Sequence, residues 1–148
     1  MYELSNDAIE IIYYQSEGVK EFLAIGGICF IGLVDQNIVL KYARIKDDKF
    51  AKESFDREAQ VFEIIGSHLW IIGFKGRQGE SILMERATGG SLGEYLSEYE
   101  TTIQQRFHWV YQFCEAVEHI YDKGVIHCDL KANNALLDDD LNVKLCDF

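Results

Sequence analysis

The sequence predicts an α+β fold in two parts, a small lobe of five antiparallel strands with one main helix and the start of a mainly helical lobe. Five short apolar segments lie between residues 21 and 84 and flank one helical pattern. A second helical pattern, over residues 103–122, is apolar on two faces, as in a helix at the centre of a helical lobe. A short polar loop and a hairpin pattern follow it.

Composition narrows the class of protein. The 148 residues are 48% hydrophobic and 13% aromatic, which indicates one globular domain. A net charge of −11 opposes binding to nucleic acid or to anionic membranes and favours a basic partner. The four cysteines form no C-x-x-C pair, so we expect reduced thiols in a cytoplasmic or nuclear protein, with neither a zinc site nor disulfides. The longest apolar run, residues 22–34, is too short for a membrane span, which needs about 20 residues.

Residues 1–20 read as an acidic, weakly patterned N-terminal extension. Ser5, Asn6 and Asp7 could cap a short helix, whereas residues 11–14 could equally form a strand, so this segment stays open. The strands that follow are predicted from short apolar runs bounded by glycine or polar residues. They cover residues 22–25, 30–34, 37–43, 70–74 and 81–84, with a charged turn over residues 75–80.

Residues 50–65 show a helical stripe formed by Ala51, Phe55, Phe62 and Ile65, and Gly66 ends the helix. Glu58 lies within this stripe. A carboxylate on a buried face needs a cation, and Lys41 shares one face of its strand with Val39. We therefore expect Glu58 to pair with a cation.

Residues 125–134 combine an acid, a cation and two amides in one short segment. Asp129 can accept a proton, Lys131 can neutralise a developing anion, and Asn134 can offer an oxygen to a hard metal ion. Residues 135–137 and 143–146 form a predicted hairpin around a polar turn. A hairpin centred between residues 140 and 141 would set Asn134 opposite Asp147, as a Mg²⁺ site.

Residues 127–134, His-Cys-Asp-Leu-Lys-Ala-Asn-Asn, resemble the H-R-D-L-K-x-x-N catalytic loop of eukaryotic-type protein kinases, and Asp147-Phe148 resembles the start of D-F-G. The resemblance implies that Asp129 orients and deprotonates a substrate hydroxyl, while Lys131 balances charge on the phosphoryl group. It also implies that Asn134 and Asp147 hold Mg²⁺, and Lys131 points to serine or threonine as acceptor.

Three further segments resemble the nucleotide site of this family. Residues 27–34 resemble the G-x-G-x-x-G-x-V loop, with Cys29 in place of the middle glycine. Residues 37–43 resemble the strand whose lysine contacts the α- and β-phosphates, and residues 84–92 resemble the segment between the lobes. The family pairs this lysine with a glutamate on the following helix, so the resemblance implies an ion pair between Lys41 and Glu58. By this resemblance Val34 would lie over the adenine, and main-chain groups of Glu85 and Ala87 would read its edge. The implied nucleotide-binding residues are Gly27, Cys29, Gly32, Val34, Val39, Lys41, Glu58, Met84, Glu85, Ala87, Ser91 and Leu136.

The resemblance covers residues 21–148, divided into a small lobe (21–84), a hinge (85–91) and the start of a second lobe (92–148). It stops one residue short of the D-F-G glycine. We therefore expect a truncated, catalytically silent part of a Ser/Thr protein kinase that uses ATP, Mg²⁺ and a protein substrate. A partner would cover the exposed face of the helix over residues 103–122. Cys146, beside Asp147, is a hypothetical thiol facing the ATP site and open to electrophiles.

Two alternatives remain open. A nucleotide-binding pseudokinase or interaction fragment is favoured by Cys29 in the glycine loop. A small-molecule phosphotransferase of the aminoglycoside or choline kinase type shares the H-x-D-x-x-x-x-N loop, although Lys131 and the Gly-Gly-Ser-Leu of residues 89–92 favour the protein kinase.

Overall fold

A computed structural model describes residues 14–148. The possible cap at residues 5–7 and most of the segment at residues 11–14 lie outside this range. The elements are strands β1 (Glu21–Ile25), β2 (Cys29–Leu33) and β3 (Ile38–Ala43), helix α1 (Lys49–Ile65), strands β4 (Phe74–Gln78) and β5 (Ser81–Glu85), helices α2 (Leu92–Glu98) and α3 (Ile103–Asp122), and strands β6 (Ala135–Leu137) and β7 (Val143–Leu145).

The first five strands form one antiparallel sheet in the order β1-β2-β3-β5-β4. Side chains alternate between the two faces, as a strand requires. The inner face packs on α1 through the predicted helical stripe, and the resulting core also takes in side chains from α3 and β7. The α+β fold with a five-stranded antiparallel lobe is thereby confirmed.

The fourth strand lies later in the chain than predicted. The sequence pattern placed it at residues 70–74, with a turn at residues 75–80, whereas β4 pairs with β5 from Phe74 to Gln78. Ile71 and Ile72 are apolar because they enter the core beside β7, where the Ile72 N–H donates to the Leu145 carbonyl at 2.9 Å. The strand β4 is polar because it is an edge strand with every second residue exposed.

The outer face of the sheet is covered by the segment that leads into β1. Val19 packs there with Phe30, Leu40 and Tyr42, and the Lys20 N–H donates to the Leu33 carbonyl at 2.7 Å. A Cβ atom on Gly32 would overlap the Val19 side chain. Packing on this face therefore gives Gly32 a reason to be glycine that is independent of nucleotide binding.

Helix α2 begins with the predicted capping box. The Glu94 N–H donates to Ser91 Oγ at 3.2 Å, and the Ser91 N–H donates to Glu94 Oε2 at 3.1 Å. The backbone on either side of this cap is tied to β6, because Gly89 donates to the Leu137 carbonyl and Leu137 donates to the Gly90 carbonyl. The segment between β5 and α2 is thus hydrogen-bonded to β6, the first strand of the β6–β7 hairpin.

Helix α3 has the predicted bounds and the two predicted apolar faces. One face is buried and consists of Trp109, Gln112, Ala116 and Ile120. The other face lies in solvent, with Ile103, Phe107, Val110, Tyr111 and Tyr121 between 59% and 71% exposed. One apolar face is therefore largely exposed in the described chain, as predicted, although Val117 on the same side of the helix packs partly against the core.

Candidate active site

Lys41 lies at the centre of the candidate site. Strand β3 directs it to the inner face of the sheet, where it is 8% exposed. Its Nζ lies 2.9 Å from Oε1 and 2.8 Å from Oε2 of Glu58, which α1 buries within its apolar stripe. The contact predicted between these two residues is present.

Lys41 has a second carboxylate partner that sequence spacing does not reveal. Its Nζ donates to Asp147 Oδ1 at 2.7 Å, across 106 residues of sequence. One ammonium group therefore joins β3, α1 and the segment after β7. This arrangement connects the sheet to the hairpin through charge as well as through apolar packing.

The electrostatics of this cluster favour a charged lysine. Burial alone would lower the pKa of Lys41, but Glu58 and Asp147 together outweigh burial and raise it above its usual range. For Glu58 the largest influence is again burial, which raises its pKa, while Lys41 acts in the opposite direction. Removing Lys41 would leave the buried Glu58 carboxylate without its cation.

The polar loop brings Asp129, Lys131 and Asn134 together. Lys131 Nζ donates to Asp129 Oδ2 at 2.6 Å, and Asn134 Nδ2 donates to the same oxygen at 2.9 Å. The hydrogen bond from Lys131 lowers the pKa of Asp129, and the bond from Asn134 acts in the same direction. Asp129 is thus an exposed, ionised carboxylate with a cation beside it, which suits a group that orients a hydroxyl.

The hairpin register differs from the prediction by one residue. Ala135 pairs with Leu145, and the Cys146 N–H donates to the Asn134 carbonyl at 2.9 Å, so Asn134 lies opposite Cys146 rather than Asp147. The turn sets this register, because Asp138 Oδ1 accepts from the Asn142 N–H at 2.8 Å and Leu141 takes a positive φ of 62°. Asn134 and Asp147 stand at the same end of the hairpin but are held by different partners.

Asn134 and Asp147 have the chemistry of a magnesium site. The side-chain nitrogen of Asn134 is hydrogen-bonded to Asp129, so Oδ1 is the atom of Asn134 that could bind a metal ion. The Asp147 side chain is 55% exposed. Hard cations take oxygen ligands, and Mg²⁺ commonly combines one or two protein oxygens with phosphates and water. No group of three or more His, Cys, Asp or Glu residues suited to a metal occurs in the described chain. Two protein oxygens would need phosphate or water oxygens to complete the coordination of Mg²⁺, and this assignment stays a prediction.

The predicted nucleotide-binding residues fall on two faces of the sheet. Cys29, Val39 and Met84 belong to the inner core, with Ala87 and Leu136 packed against it. Val34 packs instead with the outer cluster, while Leu33 pairs with Val39 on the inner side. Strand alternation thus places Leu33 on the Lys41 face of the sheet and Val34 on the opposite face, and the contact between Val34 and adenine stays a prediction.

The hinge residues are fixed by their own contacts. The Glu85 N–H donates to the Gly73 carbonyl at 2.8 Å, and the Glu85 carboxylate pairs with Lys144 at 3.1 Å. Ser91 is buried and bridges to Leu136 of β6. These contacts hold residues 85–91 beside the inner core, while the part that Glu85 and Ala87 play toward adenine stays a prediction.

The β1–β2 turn is open at Gly27, because a Cβ atom on this residue would meet nothing within 4 Å.

Two buried thiols flank the Lys41 cluster. Burial raises the pKa of Cys29 and, more strongly, that of Cys146, whose Sγ donates to the Asn134 carbonyl at 3.3 Å. Cys146 is 8% exposed. The hypothesis that Cys146 is open to electrophiles is therefore wrong, because a buried, protonated thiol is a poor nucleophile.

His127 and Phe148 link the polar loop of residues 125–134 to α1. Neither residue was assigned a function from the sequence. His127 Nε2 lies 2.8 Å from the Cys146 carbonyl, and its ring centroid is 4.9 Å from that of Phe148. Phe148 in turn packs edge-on against Phe62 of α1, at 5.3 Å. The available signals were the position of His127 at the start of the H-x-D motif and that of Phe148 in the D-F pair.

Residues 29–148 match the protein kinase domain, which is more than half of the chain. The chain belongs to the protein kinase domain family. Within it, the chain is 33% identical over 119 residues to NUAK family SNF1-like kinase 1 of Homo sapiens, covering 74% of this chain and 18% of that protein.

Other protein kinases show comparable similarity. Hormonally up-regulated neu tumor-associated kinase of Mus musculus is 32% identical over 115 residues, covering 74% of this chain and 16% of its own length. Serine/threonine-protein kinase PKH2 of Candida albicans is 25% identical over 119 residues, covering 80% of this chain and 12% of its own. The kinase chain thus spans less than a fifth of the length of these relatives. No helix in its described part is long and apolar enough to cross a membrane.

Proposed function

We propose that this chain carries the nucleotide-binding and phosphoryl-transfer residues of a Ser/Thr protein kinase, which moves the γ-phosphate of ATP to a protein hydroxyl. The observation that supports this most directly is the Lys41 ammonium, held by both Glu58 and Asp147. Kinases of this family require the strand lysine, its helix glutamate and the metal-binding aspartate together. The similarity to a protein named as a serine/threonine-protein kinase supports serine or threonine as the acceptor.

Each polar residue has a separate task in this proposal. Lys41 neutralises the α- and β-phosphate oxygens, and Glu58 keeps its ammonium in place. Asn134 and Asp147 hold Mg²⁺, which neutralises charge on the β- and γ-phosphates when bound.

The acceptor side of the reaction falls to the loop. Asp129 accepts the hydroxyl proton as the hydroxyl oxygen bonds to the γ-phosphorus and the bond from that phosphorus to the bridging oxygen breaks, releasing ADP. Lys131 balances charge on the transferred group. Its hydrogen bond to Asp129 places the cation beside the proton acceptor.

ATP binding by the chain, measured calorimetrically, tests the proposal. Lys41→Met should weaken Mg·ATP binding by about tenfold or more, a loss of about 1.4 kcal/mol. Lys52→Met is the matched control, since Lys52 also pairs with a glutamate, Glu80, at 2.5 Å but is 49% exposed. It should bind as the wild type does. A wild-type chain that binds no Mg·ATP, or equal binding by Lys41→Met, would overturn the proposal.

A second candidate is a nucleotide-binding module that transfers no phosphate. Cys29 favours it, because a side chain stands where the family has a glycine that lets the backbone approach phosphates. Phosphoryl transfer to serine and threonine peptides separates the two candidates when it is measured in a chain extended through a complete kinase domain, because the 148 residues alone are expected to be catalytically silent. Binding without transfer, and restored transfer in Cys29→Gly, would support the second. The match to the protein kinase domain and the similarity to a protein named as a serine/threonine-protein kinase support a protein acceptor over the aminoglycoside or choline alternative.

A further inference from the structure

Gln112 is a polar residue on the buried face of α3, where its three neighbours on that face are apolar. Its side chain is fully buried, and a buried amide is costly unless its polar atoms are hydrogen-bonded. Oε1 accepts from the Val143 N–H at 2.9 Å, and Nε2 donates to Asn142 Oδ1 at 2.8 Å and to His108 Nε2 at 2.9 Å. Two of these three bonds reach the β6–β7 hairpin.

That hairpin depends on outside support. Its strands have three residues each, and a two-stranded hairpin alone is marginally stable in water. The outer edge of β7 is held at two points, because Val143 donates to Gln112 and Leu145 donates to the Trp70 carbonyl at 2.8 Å. Trp109 Nε1 adds a third support by donating to the Leu141 carbonyl at 2.7 Å. Helix α3 thus fixes the turn and the start of β7.

The open end of the same hairpin carries the two proposed metal donors. Asn134 directly precedes β6 and is bonded to the Cys146 N–H, and Asp147 follows Cys146. A slip of one residue between two strands turns each side chain to the opposite face. Such a slip would separate Asp147 from Lys41 and alter its position relative to Asn134.

We propose that Gln112 is a positioning residue, which holds β7 in register and so sets the relative placement of Asn134 and Asp147 for a magnesium–nucleotide complex. The proposal rests on the function proposed above. Gln112 touches neither donor, so its effect passes through the backbone from Val143 to Asp147. It therefore differs from the residues that would contact nucleotide or metal.

The test compares Gln112→Leu with the wild type in ATP binding, with excess Mg²⁺ and with EDTA. Leucine fills most of the same volume but makes none of the three bonds. The gain in ATP affinity that Mg²⁺ provides should fall about tenfold, the lower end of the effect of residues that support metal ligands. Affinity in EDTA should stay at the wild-type value. Ile120→Val, on the same buried face of α3 but without a hairpin bond, controls for lost stability.

Amide hydrogen exchange, measured without nucleotide, gives a second readout. Exchange at Leu145 and Cys146 should be faster in Gln112→Leu than in Ile120→Val. If Gln112→Leu does not fold, Trp109→Phe replaces it in both measurements: it exchanges the indole for a smaller aromatic ring, removes the hydrogen bond to the Leu141 carbonyl and so tests the same support of the hairpin by α3.

The proposal would be overturned if Mg²⁺ raised the ATP affinity of Gln112→Leu as much as that of the wild type. It would also be overturned if Ile120→Val lost the same ATP affinity, or if Gln112→Leu lost as much ATP affinity in EDTA as in Mg²⁺. A wild-type chain that binds no ATP would overturn the proposed function instead. In that case the exchange rates still decide whether Gln112 holds the hairpin.

Discussion

Two aspartates define the candidate site at the scale of single residues, and their surroundings differ. Asp129 is bonded to Lys131 and Asn134, whereas Asp147 is bonded to Lys41. Asp147→Asn should therefore weaken ATP binding in the presence of Mg²⁺, and Asp129→Asn should retain binding and lose phosphoryl transfer. Calorimetry measures binding by the 148-residue chain. A peptide phosphorylation assay measures transfer in a chain extended through a complete kinase domain, because the 148 residues alone are expected to be catalytically silent. Asp140→Asn, at the exposed turn, is the control, and equal loss of binding in both site variants would contradict the division of tasks.

The four thiols should differ in reactivity in the native chain. Cys114 and Cys128 are exposed, whereas Cys29 and Cys146 are buried and their pKa values are raised by that burial. Because the thiolate is the reactive form, a disulfide reagent should modify two thiols rapidly and all four only after denaturation. Mass spectrometry should assign the rapid labels to Cys114 and Cys128. Early labelling of Cys146 would show that the cluster around Lys41 is open to solvent.

At the scale of elements, two stacked histidines join the segment after α1 to α3. The rings of His68 and His119 lie 4.6 Å apart at 27°, and His119 Nε2 donates to the carbonyl of Ile65, the last residue of α1, at 2.7 Å. His68 Nδ1 accepts from the Trp70 N–H at 3.2 Å, which requires that nitrogen to be unprotonated. Protonating His68 would remove this bond and place a charge beside His119.

This joint should weaken in acid. Burial lowers the pKa of His68, the neighbouring His119 lowers it further, and Glu115 opposes the shift. A histidine with a lowered folded-state pKa gives stability that is present above its unfolded pKa of about 6.5 and is lost as pH falls through the folded value. The melting temperature should therefore fall when the pH is lowered from about 7 to about 5.5, a range that brackets the unfolded-state pKa of histidine. His68→Asn retains an acceptor for Trp70 without titrating, so its fall should be smaller. An unchanged pH dependence would exclude His68 as the cause.

Some of the helices and strands could be predicted from sequence patterns, and others could not. Apolar periodicity located α1 and α3 and placed Glu58 on the buried face, because side-chain burial follows backbone geometry directly. It misplaced β4, since Ile71 and Ile72 are apolar through burial beside β7, where Ile71 bridges to Leu145, rather than through pairing with β5. The hairpin register depends on the hydrogen bonds of Asp138 and on a positive φ at Leu141, and neither leaves a periodic signal.

The site as a whole depends on contacts between distant parts of the chain. The Lys41–Asp147 bond spans 106 residues, and the core that surrounds it contains side chains from the sheet, α1, α3 and β7. Motif resemblance placed each of these groups in a family role, but only the folded chain shows that one ammonium bridges both carboxylates. Stability of the sheet, α1 and the hairpin should therefore be cooperative, because each contributes to the same core.

The exposed apolar face of α3 determines how the whole molecule should behave in solution. Ile103, Phe107, Val110, Tyr111 and Tyr121 form this face, and each is at least 59% exposed. Burying a large apolar side chain contributes about 1.5–3 kcal/mol, so a stripe of this size favours association. We expect the 148-residue chain to self-associate at rising concentration, as measured by light scattering after size exclusion.

Charged substitutions on this face separate association from folding. Phe107→Lys combined with Val110→Glu should reduce association while leaving the melting temperature nearly unchanged, because both side chains already contact water. Ile120→Ala, on the buried face, is the contrasting variant and should cost about 2–5 kcal/mol. If the double variant melted as early as Ile120→Ala, the face would be part of the folded core. If the wild-type chain stayed monomeric at all concentrations, the stripe would not be an association surface.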